Sequence, residues 1–348
     1  MPICVAGMHR SGTSMMARLL HEGGLYLGRA EDIMPPADSN PEGHWENLRF
    51  VEINDALLER AGGSWREAPK FETGWERDPR YDDLFDRAKR LVDTFADREP
   101  WGFKDPRNSL TLPFWRQLLP AMKVVIAVRN PLEVANSLLA RNQIPLEDGV
   151  ALWTNYTLRA KEVAPAESRL VTHYESYFHD GRGETARLLT FAALPHDDVV
   201  LDRLHALAKE GLRHNRLLVR ETVDGMPASE AMRLYFEMGA EAGPVFLRKL
   251  AGEALGEPAF AMEATEPRSW FLTEAILSVV ARDRTAEDLR RQIDALNESL
   301  RDAHEETAAA QRVIDKLRFR LSWWRHRWVD NAANFVARFR GREPEVFD

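Results

Sequence analysis

The stretch Gly7–Ser14, GMHRSGTS, stands between an apolar run and a helical pattern, where a phosphate-binding loop would sit. Its two glycines and trailing hydroxyls fit such a loop, but Thr13 occupies the place where G-x-x-x-x-G-K-[ST] has lysine. That lysine reaches the outer phosphates of a nucleotide, so triphosphate hydrolysis is disfavoured. The loop amides and helix start, Gly7, Ser11, Gly12, Thr13 and Ser14, can still hold a single phosphate. A glycine turn that only joins strand to helix is the plainer reading. Further on, VVIAVRNPLEVANSLL, Val124–Leu139, presents Arg129 at a strand end as a planar fork suited to phosphate. Ser137 lies about two turns into the following helix, where its hydroxyl can donate; a local Arg129–Glu133 pair is the alternative. FKDPRNS, Phe103–Ser109, carries Lys104, with pairing of Lys104 or Arg107 to Asp105 as its simpler explanation. NPEGHWEN, Asn40–Asn47, holds His44 and Glu46, which alternation in an extended loop places on one face as a proton-accepting pair or as a brace.

These residues need elements to position them. Short β-branched runs at PICVAG, KVVIAVRNP and SRLVTHYE, with helical spacing between them, predict a parallel α/β sheet covered by helices on both faces. Helical spacing runs from about Pro79 to Asp97 and from Leu146 to Glu162. MPPADSNPEGHWEN reads as a long ordered loop, the kind that carries function. A chain of 348 residues with 44% hydrophobic content buries a substantial core. Its single cysteine, Cys4, excludes an internal disulfide framework. Neither a secretion signal nor an apolar run of about 18 residues is evident, and a cytoplasmic location is expected. Net charge is −8, but Lys316–Arg342 holds eight Lys/Arg against one Asp, a net +7 that leaves −15 for the rest. An acidic body argues against nucleic acid as a partner. With no H-E-x-x-H, paired-Cys motif or dinucleotide fingerprint, neither a metal nor a nicotinamide is expected.

GMHRSGTSMMARLL resembles the 5′-phosphosulfate loop of the sulfotransferase family, whose donor is 3′-phosphoadenylyl sulfate (PAPS). VVIAVRNPLEVANSLL is similar to that family's second signature, in the right order and at roughly the right separation. The resemblance covers about residues 1–220 and implies a P-loop-type sheet flanked by helices. It further implies that Arg129 and Ser137 bind the donor's 3′-phosphate, and that Arg10 reaches its sulfonyl or bridging oxygens. FKDPRNS resembles a Lys-Asp-Pro segment of some sulfotransferases, implying that Lys104 stabilises the transition state. Related enzymes take their base from a glutamate or a histidine, which points to Glu46 first and His44 second. His9 is read as structural or acceptor-lining, Tyr174 and Glu175 as braces, and Arg213 or Arg216 as cations that close over the 3′-phosphate or merely end a helix.

From Ala286 an a/d heptad register runs unbroken through Trp328, predicting a long C-terminal helix that forms a coiled coil and a homodimer, or folds back on its own domain. The basic aromatic tail suits the inner membrane surface, or packing on the enzyme. The expected domains are 1–280, 284–328 and 329–348. The expected activity is sulfuryl transfer from PAPS to a hydroxyl of a carbohydrate or glycolipid. A small-molecule kinase using ATP and a non-catalytic nucleotide-binding scaffold are the alternatives.

Overall fold

The computed structural model describes residues 1–37, 40–208, 217, 230–243 and 245–246. The chain divides into two compact units, Met1–Arg216 and Leu217–Asp348. Arg213, Arg216, the boundary near 280, the coiled coil and the basic tail lie outside the described residues.

The first unit is an α/β fold around four parallel strands in the order β2–β1–β3–β4. They are β1 (Ile3–Ala6), β2 (Gly102–Lys104), β3 (Lys123–Val128) and β4 (Arg169–His173). Helices α1 (Thr13–Glu22), α2 (Leu48–Arg60) and α3 (Asp82–Asp93) separate β1 from β2, and α4 (Asn108–Leu118) leads to β3. Next come α5 (Pro131–Asn142) and α6 (Leu146–Val163), then β4, followed by α7 (Ser176–His179), α8 (Gly181–Phe191) and α9 (Asp198–His205). The second unit contributes α10 (Glu230–Glu241), whose Tyr235 ring lies 5.7 Å from that of Phe246.

The strand sequences explain the layers. Strands buried on both faces read as continuous apolar runs, as β1 and β3 do. Ile3, Val5, Val125 and Ala127 pack under α1, α8 and α9 through Leu19, Leu188 and Leu204. On the other face Phe103 stacks on Phe50 at 4.4 Å and meets Trp115 at 5.1 Å, tying β2 to α2 and α4. Helix starts follow local chemistry: Asn130 accepts from the Leu132 amide at 3.0 Å with Pro131 in the first turn, and Asn47 accepts from the Arg49 amide at 3.1 Å.

Strand order reverses between β1 and β3, since β2 lies outside one and β4 outside the other. In open parallel sheets that reversal opens a crevice beyond the carboxyl ends of the strands. The phosphate loop leaves β1 and Arg129 follows β3, so both sequence motifs enter this crevice.

One polar knot holds the surrounding helices. Asn54 of α2 is fully buried, donates to Asp105 and Asn108 at 2.9 Å each, and accepts from Thr111 at 2.8 Å and the Trp115 indole at 2.9 Å. Asn54→Ala leaves these groups buried and unsatisfied, and should lower the unfolding free energy by about 3 kcal/mol. Urea denaturation of the variant against the parent checks it; a loss under about 1 kcal/mol would show the knot is replaceable.

Candidate active site

The loop after β1 is set by backbone constraints. Gly7 has φ 132, and a Cβ there would stand 2.5 Å from the carbonyl oxygen of Ala127, so the chain can cross over β3 only as glycine. Gly12 has φ 89 at the start of α1, where a side chain would run into the Tyr174 ring. Between them Arg10 takes φ 71, a left-handed conformation costly for a side-chain-bearing residue. The Gly7 amide donates to Ser109 Oγ at 2.8 Å, and Ser11 is fully buried with its Oγ unpartnered.

Arg10 joins the two motifs. Its Nε donates to Ser137 Oγ at 2.9 Å, and its carbonyl accepts from an Arg129 guanidinium nitrogen at 3.3 Å. Arg129 also donates through Nε to Glu133 at 2.7 Å, so the local pair weighed above is present alongside its contact with the loop. Its guanidinium carbon lies 4.7 Å from the centre of the Tyr174 ring. A cleft of about 140 Å³ opens here, lined by Arg10, Gly12, Thr13, Ser14, Arg129 and Tyr174 among others. Tyr174, read from sequence as a brace, thus faces the cleft as well. Arg18 and Glu42 pair across the same cleft, and Asn40 donates to the Gly43 carbonyl at 2.6 Å and to Ser14 Oγ at 3.3 Å.

Lys104, at the end of β2, is 1% exposed. Its ammonium donates to Ser14 Oγ and the His44 carbonyl, each at 3.0 Å, and pairs with Glu46. Asp105 engages Arg107 at 2.9 Å rather than Lys104, and Arg107 also reaches Asp55 at 2.7 Å. Burial, the larger influence, leaves the Glu46 carboxyl above its ordinary value although the Lys104 ammonium pulls it down. Its Oε2 is buried without a partner. The expected alternation of His44 and Glu46 does not hold, because Trp45 between them takes φ 66 and donates its indole N–H to the Glu42 carbonyl at 2.9 Å. The turn sends Glu46 under Lys104 and leaves His44 partly exposed. Burial and the nearby Lys104, Arg141 and Arg10 lower the His44 pKa, so its ring is neutral at pH 7.

His9 lies 4.6 Å from Trp65 and 6.0 Å from Tyr156, ring to ring, with Nε2 buried and unpartnered. Burial, then Arg107, Lys104, Arg141 and Arg10, lower its pKa well below 6.5. Sequence reasoning missed Trp65, Asn54 and Arg141. Arg141 was within reach, because it stands four residues beyond Ser137 on α5 and so on the same helix face; nothing local marks the other two.

A glycine loop over β1, an arginine after β3 and a buried lysine at the end of β2 define a P-loop-type α/β protein with a cationic crevice. The sulfotransferase family model matches residues 2–198, and the chain belongs to that family. Among solved structures it is similar to sulfotransferase STF1 from Mycobacterium tuberculosis, at 16% identity over 65% of this chain and 76% of that one, with a TM-score of 0.37. It is also similar to sulfotransferase STF9 from Mycobacterium avium, at 11% identity over 74% and 76%, with a TM-score of 0.39. No curated protein matches it significantly.

The lowered His9 pKa has a sign that stability reports. Below pH 6.5 the unfolded chain binds a proton that the fold refuses, so this contribution is complete above that value and is lost as pH falls. The urea midpoint should therefore drop between pH 7.5 and pH 5.5, and His9→Phe, which keeps a ring beside Trp65, should drop less. Equal slopes would refute the assignment.

Proposed function

We propose that the protein moves a sulfuryl group from PAPS to a hydroxyl of a carbohydrate or glycolipid acceptor. The observation that carries this reading is the hydrogen-bonded contact of Arg10 with both Ser137 and Arg129, which puts the phosphate loop and the second signature at one cleft. A donor with phosphates at both its 5′ and 3′ positions suits two cationic stations better than a linear triphosphate does. The missing loop lysine points the same way.

In this reading the amides of Gly12, Thr13 and Ser14 hold the 5′-phosphate, those of Gly7 and Ser11 being engaged by Ser109 and the Met8 carbonyl in shaping the loop, and Arg129 and Ser137 hold the 3′-phosphate. The acceptor oxygen attacks sulfur in line, the bond from sulfur to the bridging phosphate oxygen breaks, and 3′,5′-adenosine bisphosphate leaves with the electron pair. Arg10 and Lys104 stabilise the charge that develops on the sulfonyl and bridging oxygens. The proton of the acceptor hydroxyl goes to a base. His44 is favoured for that role because it is neutral and partly exposed, whereas Glu46 is engaged by Lys104. Glu46 then holds the lysine charge in place. The heptads and basic aromatic tail support a homodimer working at the inner face of a membrane, where a lipid-linked acceptor would be found.

Calorimetry with 3′,5′-adenosine bisphosphate should show binding that Arg129→Ala weakens by about tenfold or more, with little affinity for magnesium-ATP. Preference for ATP would move the assignment to a kinase, and no nucleotide binding would discard it. With 35S-labelled donor and an acceptor found in a glycoside panel, His44→Ala should lower kcat by about a hundredfold or more while bisphosphate affinity holds. In the parent, activity should persist below pH 6.5, as a base with lowered pKa requires. A larger loss in Glu46→Gln than in His44→Ala, with Lys104 still buried, would hand the base role to Glu46.

A further inference from the structure

The connection between α2 and α3 brings an aromatic ring to the phosphate loop. Its first part is a small closed turn: the Ser64 amide donates to the Glu67 carbonyl at 2.9 Å, and the Ser64 hydroxyl accepts from the Glu67 amide at 3.0 Å. Inside that turn the Trp65 carbonyl accepts at 2.7 Å from the hydroxyl of Tyr156, a fully buried residue of α6. The indole is thereby held against His9, ring to ring at 4.6 Å. His9 directly precedes Arg10 in the loop, and Gly12, Thr13 and Ser14 follow it.

A tryptophan that only filled the core would spend its N–H on a partner, as Trp115 does on Asn54 and Trp45 on the Glu42 carbonyl. Trp65 differs. Its backbone is fixed, yet its ring is partly exposed and its indole N–H donates to no group among the described residues. In the ring it packs on, His9 Nε2 is buried without a partner. Two unsatisfied polar atoms in one pair of packed rings, beside a partly open aromatic face, mark a surface that a ligand completes.

In-line transfer puts the attacking oxygen opposite the leaving phosphate, with sulfur between them. A donor with its 5′-phosphate on Gly12, Thr13 and Ser14 and its sulfonyl group on Arg10 directs the acceptor to the other side of Arg10, where His9 and Trp65 stand. The face of a sugar ring is a sheet of C–H bonds fringed with hydroxyls, which suits a flat indole with a spare donor. An acyclic alcohol has no such face. A phenol has the face but a single hydroxyl, which the reaction consumes, and so leaves the indole N–H unserved.

We propose that Trp65 is the platform on which the acceptor stacks, and that the acceptor's reactive unit is a pyranose ring rather than an acyclic alcohol or a phenol. This rests on the sulfotransferase reading above.

The test uses the full-length protein, first in calorimetry with 3′,5′-adenosine bisphosphate. Trp65→Leu keeps apolar bulk on His9 without a flat face, and Trp65→Phe keeps a ring without the N–H. Both should bind the bisphosphate as the parent does, which also shows that they are folded. Labelled donor is then supplied with methyl β-glucopyranoside, methyl β-galactopyranoside, methyl α-mannopyranoside, phenol or glycerol as acceptor. A pyranoside should be the preferred substrate. Trp65→Leu should raise its KM by about tenfold or more with kcat changed by less than about twofold, and Trp65→Phe should recover part of the loss. An unchanged KM in Trp65→Leu would overturn the proposal. So would a loss in kcat alone or a fall in bisphosphate affinity, either of which would make Trp65 a brace of the loop. With bisphosphate binding intact, preference for phenol or glycerol, or sulfation of no acceptor at all, would also overturn it. Failure of the parent to bind bisphosphate would sink the sulfotransferase reading itself and this inference with it.

Discussion

A buried ammonium needs every proton accepted, and this site is arranged around one. Lys104 is shielded almost completely from water, and an ion left unpaired there would cost several kcal/mol. Its acceptors come from three places: a hydroxyl on the first turn of α1, a backbone carbonyl in the long loop, and the Glu46 carboxylate. Satisfying one side chain therefore fixes the end of β2, the start of α1 and the fold of residues 40–47 at once. The left-handed Trp45 is the local cost of bringing both the His44 carbonyl and Glu46 to the same nitrogen.

The other constraint is steric. The phosphate loop must cross from β1 over β3 within a few residues, and the Ala127 carbonyl leaves no room for a Cβ at Gly7. Gly12 solves the same problem against Tyr174, which in turn underlies Arg129. The loop, the arginine after β3 and the aromatic after β4 are thus one packed unit at the point where the strand order reverses. Movement of any of the three would disturb the others, because Gly12 abuts the Tyr174 ring and the Arg129 guanidinium lies over that ring and on the loop carbonyl of Arg10.

Legibility in the sequence followed burial. β1 and β3 were readable because strands covered on both faces are apolar throughout, and β4 because a short β-branched run stands between helical patterns. β2 was not, since its three residues, Gly102, Phe103 and Lys104, give no pattern to count. Helices over Asp82–Asp93 and Leu146–Val163 matched their periodicity. The loop carrying His44 and Glu46 was found by composition, but its shape was misjudged, because alternation assumes extended backbone and Trp45 is not extended. Asn54 escaped notice because one asparagine in an apolar helix carries no local sign of the four partners it meets.

In the proposed reaction the division of labour between His44 and Glu46 follows from burial and charge. Burial raises the affinity of Glu46 for a proton, but a proton taken there would leave the buried Lys104 ammonium without its counter-charge, so the carboxylate is kept for the lysine. At the neighbouring imidazole, burial first and then the charges of Lys104, Arg141 and Arg10 resist protonation and keep its lone pair available. The same cations that would attract the proposed donor's phosphates therefore help burial to keep the imidazole unprotonated. Negative charge brought by the ligands would weaken that effect, raising the affinity of the imidazole for a proton as the acceptor hydroxyl must give one up. A positive site that is partly neutralised on loading thus has an empty base in the free protein and a stronger one in the complex, without a separate device to switch between them.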